Sequence, residues 1–111
     1  MGMAIKHDGP IRTVSFDVEN LDAGLARVLK ERLSELLDQG WSVVIDLKGV
    51  KFMNSSGLGT ICSLFRRAGR EKLYLANVCP RLEAVLAGLP LDGLPPRHRN
   101  ARDALAAMPA T

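Results

Sequence analysis

Aromatic side chains make up only 5% of the 111 residues: one Trp, one Tyr and three Phe. Proteins that grip single strands of nucleic acid stack bases on such rings above a basic groove. Trp41, Tyr74, Phe16, Phe52 and Phe65 are too few and too scattered for that. Basic charge is also thin, with 15 Lys and Arg against 12 Asp and Glu, a formal charge of +3. The densest groups are Arg66, Arg67, Arg70 and Lys72, then Arg97, His98 and Arg99, and they read as solvated helix faces. Nucleic acid is therefore not an expected partner. Cys62 and Cys79 form no CxxC pair and have no histidine at ligand spacing, so neither a zinc site nor a dithiol redox motif is signalled. Both read as small core or near-surface residues. No apolar run approaches the roughly 18 residues that a membrane span needs. The segment from Met1 to Asp8 turns charged before a signal-peptide core can form, so no membrane insertion is expected and the cytoplasm is the expected compartment.

What is plentiful is aliphatic: 47% of the chain is hydrophobic and 24% charged. A chain of this length buries roughly two-thirds of its unfolded surface, enough to hold one domain over 1–111 without metal or disulfide staples. Thr13 to Val18 alternates, with Val14, Phe16 and Val18 on one face, and follows Ala4 to Lys6 across Asp8-Gly9-Pro10; the pattern predicts a strand pair. From Leu21 the period changes to that of a helix, with Leu25, Val28, Leu29, Leu33, Leu36 and Leu37 on one stripe and Gly40 as the stop. Ser42 to Leu47 is a β-branched run without clean alternation, which predicts a central strand covered on both faces. A second helical stripe, Leu58, Ile61, Cys62, Phe65 and Ala68, ends near Gly69. Lys72 to Asn77 reads as a strand, and Pro80 opens a helix carrying Leu82, Val85 and Leu86. Leu91 to Arg97 reads as loop or short edge strand, and Asn100 caps a last helix from Ala101 to Met108 with Asp103 in its first turn. The order ββαβαβαα predicts an α/β sandwich, a small mixed sheet of four to five strands with about four helices.

The polar stretch Met53-Asn54-Ser55-Ser56-Gly57 falls where a strand-derived loop enters the second helix. Helix N-termini carry free N–H groups and partial positive charge, which favour an anion. A P-loop is excluded because no Lys follows Gly57 or Gly59. A hydrolase elbow needs G-x-S-x-G, but Asn54 and Leu58 flank Ser56 at those positions, and His7 and His98 lie near opposite ends of the chain. No catalytic residue, metal or cofactor is expected. On composition alone, Ser55 or Ser56 simply caps the helix, worth about 1 kcal/mol.

Residues 43–59, Val-Val-Ile-Asp-Leu-Lys-Gly-Val-Lys-Phe-Met-Asn-Ser-Ser-Gly-Leu-Gly, resemble the signature of the STAS domain in bacterial anti-sigma-factor antagonists: a hydrophobic strand, D-L-S-G-V, an aromatic, then D-S-S-G-L-G. The resemblance extends to Asn20-Leu21-Asp22-Ala23 before the first helix, to the strand Leu73 to Val78, and to Val85-Leu86 with Leu91-Asp92 in the third-helix region. It implies a partner switch. The unphosphorylated domain docks on an anti-sigma factor that is also a GHKL-type serine kinase, and the sigma factor is freed. The kinase then phosphorylates the second serine of the motif, Ser56 here, and a PP2C-type phosphatase reverses the change.

By the same resemblance Asp22, Asn54, Ser55, Ser56, Gly57, Leu58 and Gly59 form the partner-binding set. Ser55 shapes or caps the loop, while Gly57 and Gly59 admit the partner's backbone and nucleotide phosphates. Asp22 is expected at the partner surface or as a charge favouring the first helix. Leu58 has the helical spacing of a core residue. Asn54 departs from the family's usual Asp, and an amide brings hydrogen bonds without charge, so phosphorylation that is slower or differently reversed is expected. Other outputs fit the motif: a STAS adaptor without a sigma factor, a STAS-like subunit of a lipid ABC transport complex, or an anion-binding protein with Lys51 as the nearest cation. Monomer and weak dimer are both compatible with the sequence.

Overall fold

The computed structural model describes residues 2–69, 71–89 and 93–109. Strands β1 (Met3–Asp8) and β2 (Ile11–Phe16) form the expected antiparallel pair, Met3 opposite Phe16 and Asp8 opposite Ile11. Gly9 takes a positive φ of 60° in the two-residue connection, a conformation that other residues adopt only under strain. After a two-residue strand β3 (Asn20–Leu21), the chain enters helix α1 (Ala23–Asp38). Gly40, at φ 92°, ends this helix: its N–H donates to the Leu37 carbonyl and that of Trp41 to the Leu36 carbonyl, so two orphan carbonyls are satisfied.

Strand β4 (Ser42–Asp46), the two-residue β5 (Phe52–Met53), helix α2 (Ser55–Ala68), strand β6 (Leu73–Ala76), helix α3 (Pro80–Leu86), strand β7 (Arg97–His98) and helix α4 (Ala101–Ala107) complete the order. The main sheet runs β1-β2-β4-β6-β7, with β4 in the centre as its sequence implies. Every pair beyond the hairpin is parallel, so the sheet is mixed.

Each new parallel strand is laid beside the previous one in the same direction. Right-handed crossovers that always step the same way must put their helices on one face. That face buries Leu29, Leu33, Ile61, Leu64, Phe65, Leu82 and Leu86 against Val14, Phe16, Val43, Ile45, Leu73 and Leu75. The alternate strand residues, Ile11, Val44, Tyr74 and Ala76, turn to the other face and pack against Ala104 and Met108 of the α4 region. The unbroken apolar runs of β4 and β6 therefore divide residue by residue between two cores.

Several boundaries differ from the sequence reading. Helix α1 starts at Ala23 rather than Leu21, because Leu21 is taken by β3 and Asp22 by the cap. The short β3, β5 and β7 were not separable from loop in the sequence, since two residues carry no periodicity. Of the three apolar residues named for α3, Val85 is 45% exposed, and this seven-residue helix buries Leu82 and Leu86. Leu91, Asp92 and Arg70 lie outside the described residues.

Candidate functional site

The loops after β2, β4 and β6 all leave the C-terminal edge of the parallel sheet, where α/β sheets present their binding surfaces. Two of these loops are tied together. Strands β3 and β5 pair in parallel, Asn20 beside Phe52 and Leu21 beside Met53. The Lys51 and Phe52 N–H groups both donate to the Glu19 carbonyl, at 2.7 and 2.9 Å. The next residue on each strand is a helix cap, Asp22 for α1 and Asn54 for α2. Paired strands lie about 4.8 Å apart, so the bridge delivers two helix N-termini side by side.

Both caps are made by side chains. Asp22 Oδ1 accepts the Leu25 N–H at 2.9 Å, and Asn54 Oδ1 accepts the Gly57 N–H at 3.0 Å. The cap of α2 is thus Asn54 and not Ser55, which sits at the first helical position, with Ser56 at the second. Both serines are exposed at the positive end of the helix dipole. The first turn of α2 holds no acidic residue, while Arg66 and Arg67 occupy its last turn, where cations suit the dipole. Asp22 caps α1, which places its carboxylate at that helix's N-terminus, and its side chain is exposed.

The two glycines of the motif differ. Gly57 is buried, and a Cβ there would lie 2.6 Å from Met53 Cγ and 3.2 Å from Leu21 Cδ2. Its need for glycine is internal: α2 seats on the β3–β5 bridge with no room for a side chain, so Gly57 is not an opening for a partner's backbone. Gly59 is exposed, a Cβ there would meet nothing within 4 Å, and it alone of the pair presents open surface. Leu58 is half-buried and packs against the core.

Among the neighbours of this loop, Lys51 was named from the sequence as the nearest cation, whereas Phe52, Arg81 and Val85 were not assigned to the site. A groove of about 360 Å³ lies between β5 and α3, lined by Asn20, Lys51, Phe52, Asn54, Arg81 and Val85 among others. Lys51 pairs loosely with Glu19 at 3.7 Å, both well exposed. Cys79 precedes α3, and its Sγ donates to the Val50 carbonyl at 3.5 Å, so this thiol braces the loop after β4. Asn77, held at φ 57°, donates from Nδ2 to Asp46 Oδ1 at 2.8 Å and ties the β6 loop to β4. Neither histidine reaches the serines: His7 lies in β1, and His98 stacks on Tyr74 with ring centroids 5.1 Å apart. Among the described residues, no cluster of three potential metal ligands is present and no helix is long and apolar enough to cross a membrane.

A mixed sheet whose β3–β5 bridge sets two capped helix N-termini side by side, with exposed hydroxyls on one of them, defines an α/β module whose distinctive surface is a helix entrance. The chain belongs to the STAS domain family, whose model matches residues 3–104. The anti-sigma-B factor antagonist of Bacillus subtilis (strain 168) is 38% identical over 64 residues, covering 56% of this chain and 59% of that protein. The matched stretch thus spans less than two-thirds of that relative. An anti-sigma-factor antagonist (STAS) domain protein from Planctomyces limnophilus superposes with a TM-score of 0.81 at 24% identity, over 96% of this chain and 97% of the other. The anti-sigma factor antagonist SpoIIAA superposes at 17% identity in two forms. Its unphosphorylated form gives a TM-score of 0.72 over 94% of each chain. The phosphorylated form, from Bacillus, gives 0.69 over 94% of this chain and 96% of that one. At these identities the solved structures establish the fold.

Proposed function

We propose that this chain is a single STAS domain, cytoplasmic and without catalytic activity of its own, that acts as an anti-sigma-factor antagonist switched at Ser56. The unphosphorylated domain binds an anti-sigma factor with a GHKL-type serine-kinase fold and releases the sigma factor. Phosphorylation at Ser56 breaks that complex, and a PP2C-type phosphatase restores it. The observation that carries the reading is the placement of Ser56: an exposed hydroxyl at the second position of α2, beside the capped start of α1.

The physics of that position suits a switch. Phosphate adds roughly −1.5 to −2 charges, which a helix N-terminus tolerates, so the fold survives modification. A partner surface shaped for a neutral hydroxyl must instead desolvate or repel those charges, so the complex fails. Asp22 brings a carboxylate to the same surface, Ser55 lies beside the acceptor, and Gly59 keeps the next turn open. Asn54 keeps the cap that an Asp would make but removes its charge, so the rate of modification changes while the acceptor geometry remains. The relative in Bacillus subtilis bears the name of an antagonist of this kind, and SpoIIAA is a protein solved in both phosphorylated and unphosphorylated forms.

The test is intact-mass analysis of the wild type and of Ser56→Ala after incubation with ATP and each candidate anti-sigma kinase of the same cell. One phosphate on the wild type and none on Ser56→Ala, with loss of kinase binding on modification, is the expected result. Tight binding without phosphate assigns a constitutive antagonist. Absence of both binding and phosphate overturns the proposal in favour of a STAS adaptor or transport-complex subunit.

A further inference from the structure

The register of the β3–β5 bridge decides which side chains face outward beside the serines. Leu21 and Met53 turn inward beneath Gly57, so their neighbours Asn20 and Phe52 are exposed on the other side. Phe52 is 45% exposed, as is Val85 of α3, and these are the two large apolar side chains that the described residues leave in solvent. Both line the same groove of about 360 Å³. One isolated exposed apolar residue is ordinary, but two on facing walls of one groove mark a contact surface.

The charges of the groove are also one-sided. The Arg81 guanidinium lies over the Phe52 ring, 4.8 Å from its centroid, and among the described residues no carboxylate comes within ion-pair distance of it. Its neighbour Glu83 is engaged by Arg97 at 2.6 Å. Lys51, on the same wall, has only the solvent-exposed Glu19 at 3.7 Å, a pair that contributes little and exchanges readily. A cation spread over an aromatic ring beside an apolar slot is complementary to a carboxylate next to a bulky aliphatic or aromatic side chain. The groove is continuous with the serine loop, because Asn54 both lines it and caps α2.

We infer that the groove between β5 and α3 seats an acidic, apolar-anchored segment of the protein partner that covers Ser56, with Phe52 and Val85 holding its apolar side chain and Arg81 its carboxylate. This inference rests on the antagonist reading for the identity of the partner, and it adds a second anchor that phosphate on Ser56 does not touch directly. Such an anchor sets which partner binds, since a segment lacking the carboxylate leaves Arg81 desolvated and unpaired.

The experiment measures affinity for the anti-sigma kinase of the same cell by calorimetry, using wild type, Arg81→Glu, Arg81→Lys, the double variant Phe52→Ser/Val85→Ser, and wild type phosphorylated at Ser56. These side chains are exposed, so folding is checked by an unchanged melting temperature. The expected result is a loss of about tenfold or more for Arg81→Glu and for the double variant, with a smaller loss for Arg81→Lys, which keeps the charge but not the planar stack on Phe52. Wild-type affinity in both Arg81→Glu and the double variant overturns the groove assignment, whatever phosphorylation does. Groove variants that weaken binding while phosphorylation does not uphold the groove and overturn the Ser56 switch. Arg81-dependent sedimentation with phosphatidylglycerol vesicles, combined with unchanged kinase affinity, overturns the protein segment in favour of an anionic membrane surface.

Discussion

Gly57 and Gly59 stand two residues apart in one motif and answer to different forces. The Cβ that Gly57 lacks would collide with Met53 near the start of its side chain, where relief requires a new χ1 rotamer in packed surroundings. Helix propensity favours Ala over Gly by up to about 1 kcal/mol, but overpacking costs about 1–3 kcal/mol, so the steric term prevails. Gly57→Ala is expected to lower the melting temperature by several degrees, at roughly 4 °C per kcal/mol for a domain of this size. Gly59→Ala meets nothing within 4 Å and is expected to raise it slightly. Differential scanning calorimetry of the two variants decides the matter, and equal shifts in both would show that the clash at Gly57 is relieved without loss. The sequence alone displays two identical letters here; only the β3–β5 bridge under α2 separates them.

Helices α1 and α2 begin on matched side-chain caps, Asp22 and Asn54, each accepting the N–H three residues on. Asn and Asp cap equally well, whereas Ala loses about 1 kcal/mol. Asp22→Asn therefore separates the structural role from recognition. It is expected to melt within about 2 °C of wild type and to bind the proposed anti-sigma partner about tenfold more weakly, the scale of one lost charge-assisted hydrogen bond. Unchanged affinity would confine Asp22 to capping. The cap of α4 was legible in the sequence, since Asn100 stands just before the helical segment, whereas Asp22 was read as a favourable charge rather than as the cap because the helical period was started at Leu21. That of α2 was misassigned to the serines, because Asn, Ser and Ser in succession are all competent caps and only backbone geometry chooses among them.

The whole molecule is asymmetric across its sheet. Three crossover helices cover one face, while the other rests on α4, a helix of seven residues whose buried contact centres on Ala104. Ala104→Asp would place an unpaired carboxylate against Val44, Tyr74 and Ala76, at a cost of about 3 kcal/mol or more. A large fall in melting temperature with new binding of a hydrophobic dye is the expected result. Retention of the wild-type melt would mean that α4 contributes little to covering this face. Because Ala104 lies on the opposite side of the sheet from α2, any effect on the serine loop should follow global stability alone.

Hydrophobic periodicity and turn chemistry by themselves determined the alternation of strands and helices, the central place of β4 and the existence of four helices, because burying a stripe of Leu or a run of Val and Ile is a local requirement repeated along the chain. The stretch Asn54 to Gly59 marked a candidate site only through its resemblance to the STAS signature, since on residue types alone the serines read as helix caps. Tertiary structure decided what no local pattern carries: the two-residue bridge that brings Asp22 beside Asn54, the burial of Gly57, and the pairing of Phe52 with Arg81 and Val85 across a groove. These contacts join residues about 30 positions apart through strands too short to have a period, and side-chain volume and register, rather than composition, bring them together.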